Sequence, residues 1–239
     1  MKRMLLTSIP EVGVRVRPDS GESHHLLKVR RAKAGEILEV MDGKGGLARA
    51  QLLVEGREVA LRIVERLEEV RESPLCLTLG LAIPSQASVF DTALPGLVQL
   101  GVNRIMLAPT DFGGRLKKGG DRYAERLHTI CVQSLKQCGR TRIPEILFLS
   151  DWATLCQEMM GGNDGVVLFH PMKERVELKA KPVNLGMLIG PEGGFSPEEV
   201  DHARSQGIEI QGLGPRILKM ETAMVGACFW AQRAYGDLW

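Results

Sequence analysis

The stretch Leu185–Glu199, LGMLIGPEGGFSPEE, constrains the fold more than any other part of the chain. An apolar run enters Gly190-Pro191-Glu192-Gly193-Gly194, and a helix start follows it. Ser196 stands at the N-cap, Pro197 at the first helical position, and Glu198 and Glu199 in the first turn. A strand that turns through glycines into a helix is the building unit of a parallel α/β sheet. Such sheets bind ligands beyond the carboxyl ends of their strands. Lacking a Cβ, Gly193 and Gly194 let backbone amides approach a ligand closely. The loop is neither a GxGxxG nor a Walker loop, since no GK[ST] follows. A tight structural turn has the same composition, so the loop alone leaves both readings open.

The rest of the second half repeats the alternation. Strands are predicted at Leu75–Ile83, Arg104–Ala108, Glu145–Leu149, Val166–Phe169 and Leu185–Ile189. Helices are predicted at Ala87–Leu100, Asp121–Cys138, Trp152–Met160, Pro197–Ser205 and Glu221–Tyr235. This is the pattern of a mainly parallel sheet covered by helices. The first seventy residues differ. Short β segments at Val12–Val16, Ile37–Val40, Leu47–Val54 and Glu58–Val64 are separated by turn signals such as Asp42-Gly43, which suggests a small barrel. A helix is expected over His24–Lys33, with Ser23 as its N-cap and Gly35 past its end. The acidic cluster ending at Pro74 marks the change, giving domains at 1–72 and 73–239.

Composition narrows the function classes. With 44% hydrophobic residues over 239, the chain can bury a core without staples and is not disordered. No apolar run approaches the roughly 18 residues of a membrane span. The start, MKRMLLTSIP, has only a two-leucine apolar stretch, so it does not read as a signal peptide, and a cytoplasmic location is expected. Five cysteines without a CxxC pair point to reduced thiols rather than to a disulfide framework or a metal site. The net charge is only +2, but residues 1–49 hold ten Lys/Arg against six Asp/Glu, and residues 104–142 hold nine against three. Each patch by itself is compatible with a solvated face, and two in one chain tilt toward a nucleic-acid partner.

Two further stretches carry chemistry. In Gln211–Ala223, QGLGPRILKMETA, a glycine-proline loop precedes Arg216, Lys219, Glu221 and Thr222. The two cations either meet an anion or form surface ion pairs. In Gln137–Glu145, QCGRTRIPE, Gly139 closes the long helix. Arg140 and Arg142 there either complement the helix dipole or contact phosphate.

Taken in order, QCGR-x-R-x-PEI, LIGPEGG and LGPRIL-x-x-ETA resemble the 16S ribosomal RNA uridine-N3 methyltransferase family, ribosomal small subunit methyltransferase E. Arg3, His24-His25-Leu26 with Lys28-Val29-Arg30, and the terminal Tyr235-Gly236-Asp237-Leu238 extend the resemblance over the whole chain. The resemblance implies an N-terminal PUA-like β-barrel and a C-terminal SPOUT methyltransferase domain with a trefoil knot. It also implies a homodimer that needs no metal and uses S-adenosylmethionine to modify 16S rRNA of the small ribosomal subunit. Carried over, the cofactor walls are Phe169, His170 and Pro171, then Ile189, Gly190, Pro191, Glu192, Gly193 and Gly194, then Gly212, Leu213, Gly214, Ile217 and Leu218. Arg216 would hold the uracil or a neighbouring phosphate, with Glu221 and Thr222 as supporting or proton-handling groups. Arg3, His25, Lys28, Arg30, Arg31, Arg140 and Arg142 would contact RNA.

The chain also departs from the family. Pro95-Gly96 replaces a usual Gln-Lys pair, Thr110-Asp111-Phe112 a usual Ser-Glu-Arg, Lys136 a usual Glu, and Lys219-Met220 a usual Arg-Thr. Two other readings therefore stand beside the first: a diverged paralogue that binds RNA or cofactor without this activity, and a methyltransferase acting on another RNA.

Overall fold

The computed structural model describes residues 2–24, 26, 32–55, 58–68, 71–115, 120–171 and 180–239. The chain packs as two units, Met1–Glu72 with Val132–Ile143, and Ser73–Cys131 with Pro144–Trp239. The segment Val132–Ile143, which the sequence assigned to the second domain, thus belongs with the first.

The first unit is a five-stranded sheet in the order β1-β3-β4-β5-β2. Its strands are β1 (Arg3–Leu5), β2 (Arg15–Val16), β3 (Ile37–Met41), β4 (Leu47–Glu55) and β5 (Glu58–Leu67). The pair β1–β3 is parallel and the others antiparallel, and among the described residues no pairing closes β1 onto β2. The β3–β4 hairpin turns at Asp42-Gly43, where Gly43 has φ 74° and the Asp42 carboxylate accepts from the N–H groups of Lys44 and Gly46, both at 2.8 Å. The same turn bonds the segment after the long helix: Gly45 N–H donates to Thr141 O and Ile143 N–H to Gly43 O. Leu38, Val40, Ala50, Leu52, Leu61 and Ile63 form the core beneath.

The helix expected over His24–Lys33 is corrected in part. Helix α1 spans Ser20–His24, and residues 25 and 27–31 lie outside those described. The cap is Asp19 rather than Ser23, because the Asp19 carboxylate accepts the Glu22 N–H at 2.7 Å. Ser23 lies inside the helix and donates to Asp19 O.

In the second unit six parallel strands run in the order β11-β9-β10-β6-β7-β8. They are β6 (Cys76–Ala82), β7 (Val102–Ala108), β8 (Glu145–Phe148), β9 (Gly165–Phe169), β10 (Asn184–Ile189) and β11 (Glu209–Gln211). The helices are α2 (Ser88–Gln99), α3 (Gly120–Cys138, which from Val132 on belongs with the first unit), α4 (Trp152–Gly162), α5 (Pro197–Ser205) and α6 (Met220–Tyr235). Helices α4 and α5 bury Leu155, Met159, Val200 and Ala203 against Met106, Leu168 and Leu188 of the strands. Helix α2 continues through Pro95, its buried Phe90, Leu94, Leu97 and Val98 offsetting the roughly 3 kcal/mol of an interior proline. At Gly96 an added Cβ would lie 3.4 Å from Val225, where α2 packs on α6.

Charged groups are buried in the first unit. Glu39, 5% exposed, accepts from Arg3 Nε at 2.8 Å and from Arg71 Nη2 at 3.2 Å. Burial raises its pKa, but the bonds and charges of Arg3 and Arg71 outweigh burial and hold it below the ordinary carboxylate range. A carboxyl depressed on folding contributes stability fully above its unfolded pKa and loses it as pH falls through the folded one. Glu39→Gln should therefore flatten the acid side of the stability profile. Urea midpoints measured from about pH 6 to about pH 2 check this, and parallel profiles for the two proteins would refute it.

Candidate functional site

The carboxyl ends of β9, β10 and β11 open into two glycine-rich loops, 190–194 and 212–219. The first is fixed by local rules. Gly194 adopts φ 77° and donates its N–H to Pro191 O at 2.9 Å, closing a turn that a residue with a Cβ would strain. Ser196 then caps α5: its Oγ accepts from Glu199 N–H at 3.2 Å, and Glu199 Oε2 accepts from Ser196 N–H at 2.9 Å. Phe195 and Val200 flank this cap in one buried cluster, the hydrophobic staple that fixes the entry angle of the chain. The cap reaches further, because Ser196 Oγ donates to Asp111 Oδ2 at 2.6 Å and Asp111 N–H donates to Glu199 Oε1 at 2.9 Å.

Between the two loops lies a cavity of about 260 Å³. Phe169, His170 and Pro171, the run from Ile189 to Gly194, and Leu213, Gly214, Ile217 and Leu218 all line it. All of these are residues that the family resemblance gave as cofactor walls. Arg216 stands exposed on the same wall. Gly212, Glu221 and Thr222 do not line the cavity, the latter two sitting in the first turn of α6. Phe195, Met220 and Ala223 line it and were missed. Their signal was an apolar residue directly after the glycine loop and the first apolar positions of α6. Met220, where the family usually has a hydroxyl, is 2% exposed.

The cavity holds one unsatisfied group. His170 N–H donates to Gln211 O at 2.9 Å, but its buried side-chain Nδ1 has no hydrogen-bond partner among the described residues. A buried polar atom of this kind costs about 1–3 kcal/mol until a ligand or water supplies a partner. Gly214, with φ 112° and open space where a Cβ would stand, leaves the opposite wall as bare backbone. A half-apolar pocket with exposed backbone and one orphaned imidazole nitrogen fits a small, multiply polar ligand. Among the described residues none of the five cysteines is in a disulfide. Burial, with Glu199 nearby, pushes Cys156 up to about 12, and burial also raises Cys228, so neither is a nucleophile.

The proposed RNA-contact residues separate. Arg3 donates to the carbonyls of Lys136 and Gln137 at 3.0 and 2.8 Å, satisfying the open end of α3 while it pairs with Glu39. Arg140 is 3% exposed and donates to Glu72 Oε2 from two nitrogens, at 2.9 and 2.7 Å. The Arg140 guanidinium is held inside the fold, which corrects the expectation that it faces RNA, while Arg3 is partly buried and occupied by these partners. Arg142 is exposed and donates to Lys44 O at 3.0 Å. His25, Lys28, Arg30 and Arg31 lie outside the described residues. Lys136, the reversed charge, meets Glu22 at 2.5 Å, so its partner is internal.

Among the described residues no helix is long and apolar enough to cross a membrane. The chain matches the model of an RNA methyltransferase domain over residues 71–232 and that of an RNA methyltransferase PUA domain over 18–64. It is 30% identical to ribosomal RNA small subunit methyltransferase E of Buchnera aphidicola, with 90% of this chain and 89% of that protein aligned. The enzyme of the same name from Bacillus subtilis is 26% identical, over 84% and 83%. The fold is similar to that of a ribosomal RNA small subunit methyltransferase E from Neisseria gonorrhoeae bound to S-adenosylmethionine. That pair has a TM-score of 0.90 and 27% identity, and each chain is covered completely.

Proposed function

The chain belongs to the ribosomal RNA small subunit methyltransferase E family, and from that premise we propose that it transfers a methyl group from S-adenosylmethionine to N3 of a uridine in 16S rRNA. The observation that carries the reading is the glycine-walled cavity with its orphaned His170 Nδ1. The relative from Neisseria gonorrhoeae, with the same fold, is one bound to S-adenosylmethionine.

When bound, the cofactor supplies a sulfonium methyl as the electrophile. The chain's part is to hold and orient. Backbone at Gly190–Gly194 and Leu213–Leu218 cradles the donor, and His170 Nδ1 gains the partner it lacks. Arg216, exposed at the wall, holds the uracil or an adjacent phosphate in line with the methyl. Alignment of this kind supplies much of a transfer barrier without a covalent intermediate. Glu221 and Thr222, in the first turn of α6, support Arg216 or handle the proton lost from N3. Arg142, His25, Lys28, Arg30 and Arg31 track the RNA backbone from the first unit. The protein acts in the cytoplasm.

Mass spectrometry of rRNA nucleosides from a strain lacking the gene should show loss of N3-methyluridine. An unchanged level would overturn the N3 assignment.

The functional form is a homodimer. Helix α6 buries Met224, Ala227, Cys228 and Ala231 within its own unit, yet leaves Phe229 54% exposed and Val225 37% exposed. An apolar helix with such an outer face gains by covering it with a second copy. Sedimentation should give twice the 26.3 kDa of one chain, and a single-chain mass at micromolar concentration would contradict the dimer.

A further inference from the structure

The turn after β7 holds Phe112, a phenyl ring 54% exposed at the rim of the glycine loop. Little of this turn can move. Gly114 N–H donates to Ile83 O at 2.6 Å, Gly113 N–H donates to Thr110 O at 3.2 Å, and Asp111 is bonded to Ser196 and Glu199. A Cβ on Gly114 would come within 2.5 Å of Pro84 O, so the backbone passes here as closely as glycine allows. The root of the ring rests on the cofactor loop, because a Cβ on Gly193 would lie 2.9 Å from the Phe112 Cβ. The ring is thus presented rigidly to solvent beside the cavity rather than used to fill the core.

Two exposed cations line cavities at the carboxyl ends of the same sheet. Arg216 lines the 260 Å³ cavity. Arg115, three residues beyond Phe112, lines a second cavity of about 760 Å³ beyond the carboxyl ends of β7 and β8. Both arginines are exposed, and among the described residues no carboxylate pairs with either. Exposed aromatic rings combined with exposed cations bind single-stranded nucleic acid, the bases stacking and the phosphates meeting the cations. The chemistry of the site asks for the same thing. N3 of uridine lies on the pairing edge, so a base can offer it to a methyl donor only when unpaired and withdrawn from its stack.

We propose that Phe112 is the platform on which an unpaired base of the RNA substrate stacks at the rim of the methyl-donor cavity. The proposal rests on the methyltransferase reading above, and its test separates the two. Wild type, Phe112→Ala, Phe112→Leu and Phe112→Trp are compared in three measurements. These are methyl transfer to small ribosomal subunits, fluorescence quenching of a single-stranded RNA carrying 2-aminopurine, and calorimetric affinity for S-adenosylmethionine.

Loss of one base–aromatic stack should weaken RNA binding between about fivefold and about a hundredfold in the alanine and leucine variants. Quenching should fall in parallel, tryptophan should restore both, and S-adenosylmethionine affinity should stay within about twofold. A leucine variant that binds and quenches like wild type would show a merely apolar contact and overturn stacking. An alanine variant that loses S-adenosylmethionine affinity would make Phe112 a prop for the Gly193 loop, which also overturns the proposal. Wild-type protein that transfers no methyl would sink the methyltransferase reading instead, while the quenching series would still decide whether Phe112 stacks a base.

Discussion

Replacing Gly193 by valine should remove most of the heat of S-adenosylmethionine binding from a variant whose far-ultraviolet spectrum shows it still folded. The new Cβ would stand 2.9 Å from the Phe112 Cβ, closer than real side chains settle, and the turn carrying Phe112 is tied down by Asp111. Relief can come only by pushing the glycine loop into the cavity it lines. Overpacking a well-fitted site costs about 1–3 kcal/mol, or about 5- to 150-fold in affinity. The cavity has only about 260 Å³ to yield, so the upper end is expected. Titration calorimetry decides it. Unchanged affinity in a folded variant would move the cofactor site elsewhere.

The second large effect lies in the first unit. Among the described residues Glu72 accepts from three consecutive residues: twice from Arg140, from the N–H of Thr141 at 2.8 Å and its hydroxyl at 3.4 Å, and from the N–H of Arg142 at 3.0 Å. Arg140 is 3% exposed, so Glu72→Ala leaves a buried guanidinium without its carboxylate. Breaking a buried pair from one side costs about 3–5 kcal/mol, far more than the 0–1 kcal/mol of a surface pair. A midpoint lowered by roughly 10 °C is expected in a thermal scan. A shift of about 2 °C or less would mean that Arg140 is solvated in the folded protein.

What the sequence made legible follows a simple physical line. Features written in consecutive residues were readable: the Ser196 cap with Pro197 and Glu199, Gly139 in the left-handed conformation at the end of α3, and the long apolar strands of the second unit. The glycine loops were readable for the same reason, and with the family resemblance they outlined nearly the whole cavity wall. Strands β1 and β11 were missed because three residues are too few to show a period. Asp19 was passed over in favour of Ser23 as the N-cap, although Glu22 three positions on completes a capping pattern.

The arginines failed for a different reason. A guanidinium carries the same sequence signature whether it meets phosphate or carboxylate. Only the fold brings Glu72 to Arg140, 68 positions away. Phe112 shows the converse, since an isolated aromatic in a polar turn gives no sign of whether it is buried or displayed.

The Ser196 hydroxyl has a consequence for how this chain can vary. At an ordinary helix start serine and aspartate serve about equally well, since either offers an oxygen to the backbone. Here the same oxygen must also give away a proton, to Asp111, and Glu199 lies alongside. An ionised aspartate has no proton to give and would bring a third negative charge into a space 3% exposed. Threonine keeps both functions. A position that looks permissive by helix rules therefore admits only hydroxyl side chains, and it does so because one atom joins the start of α5 to the turn that carries Phe112.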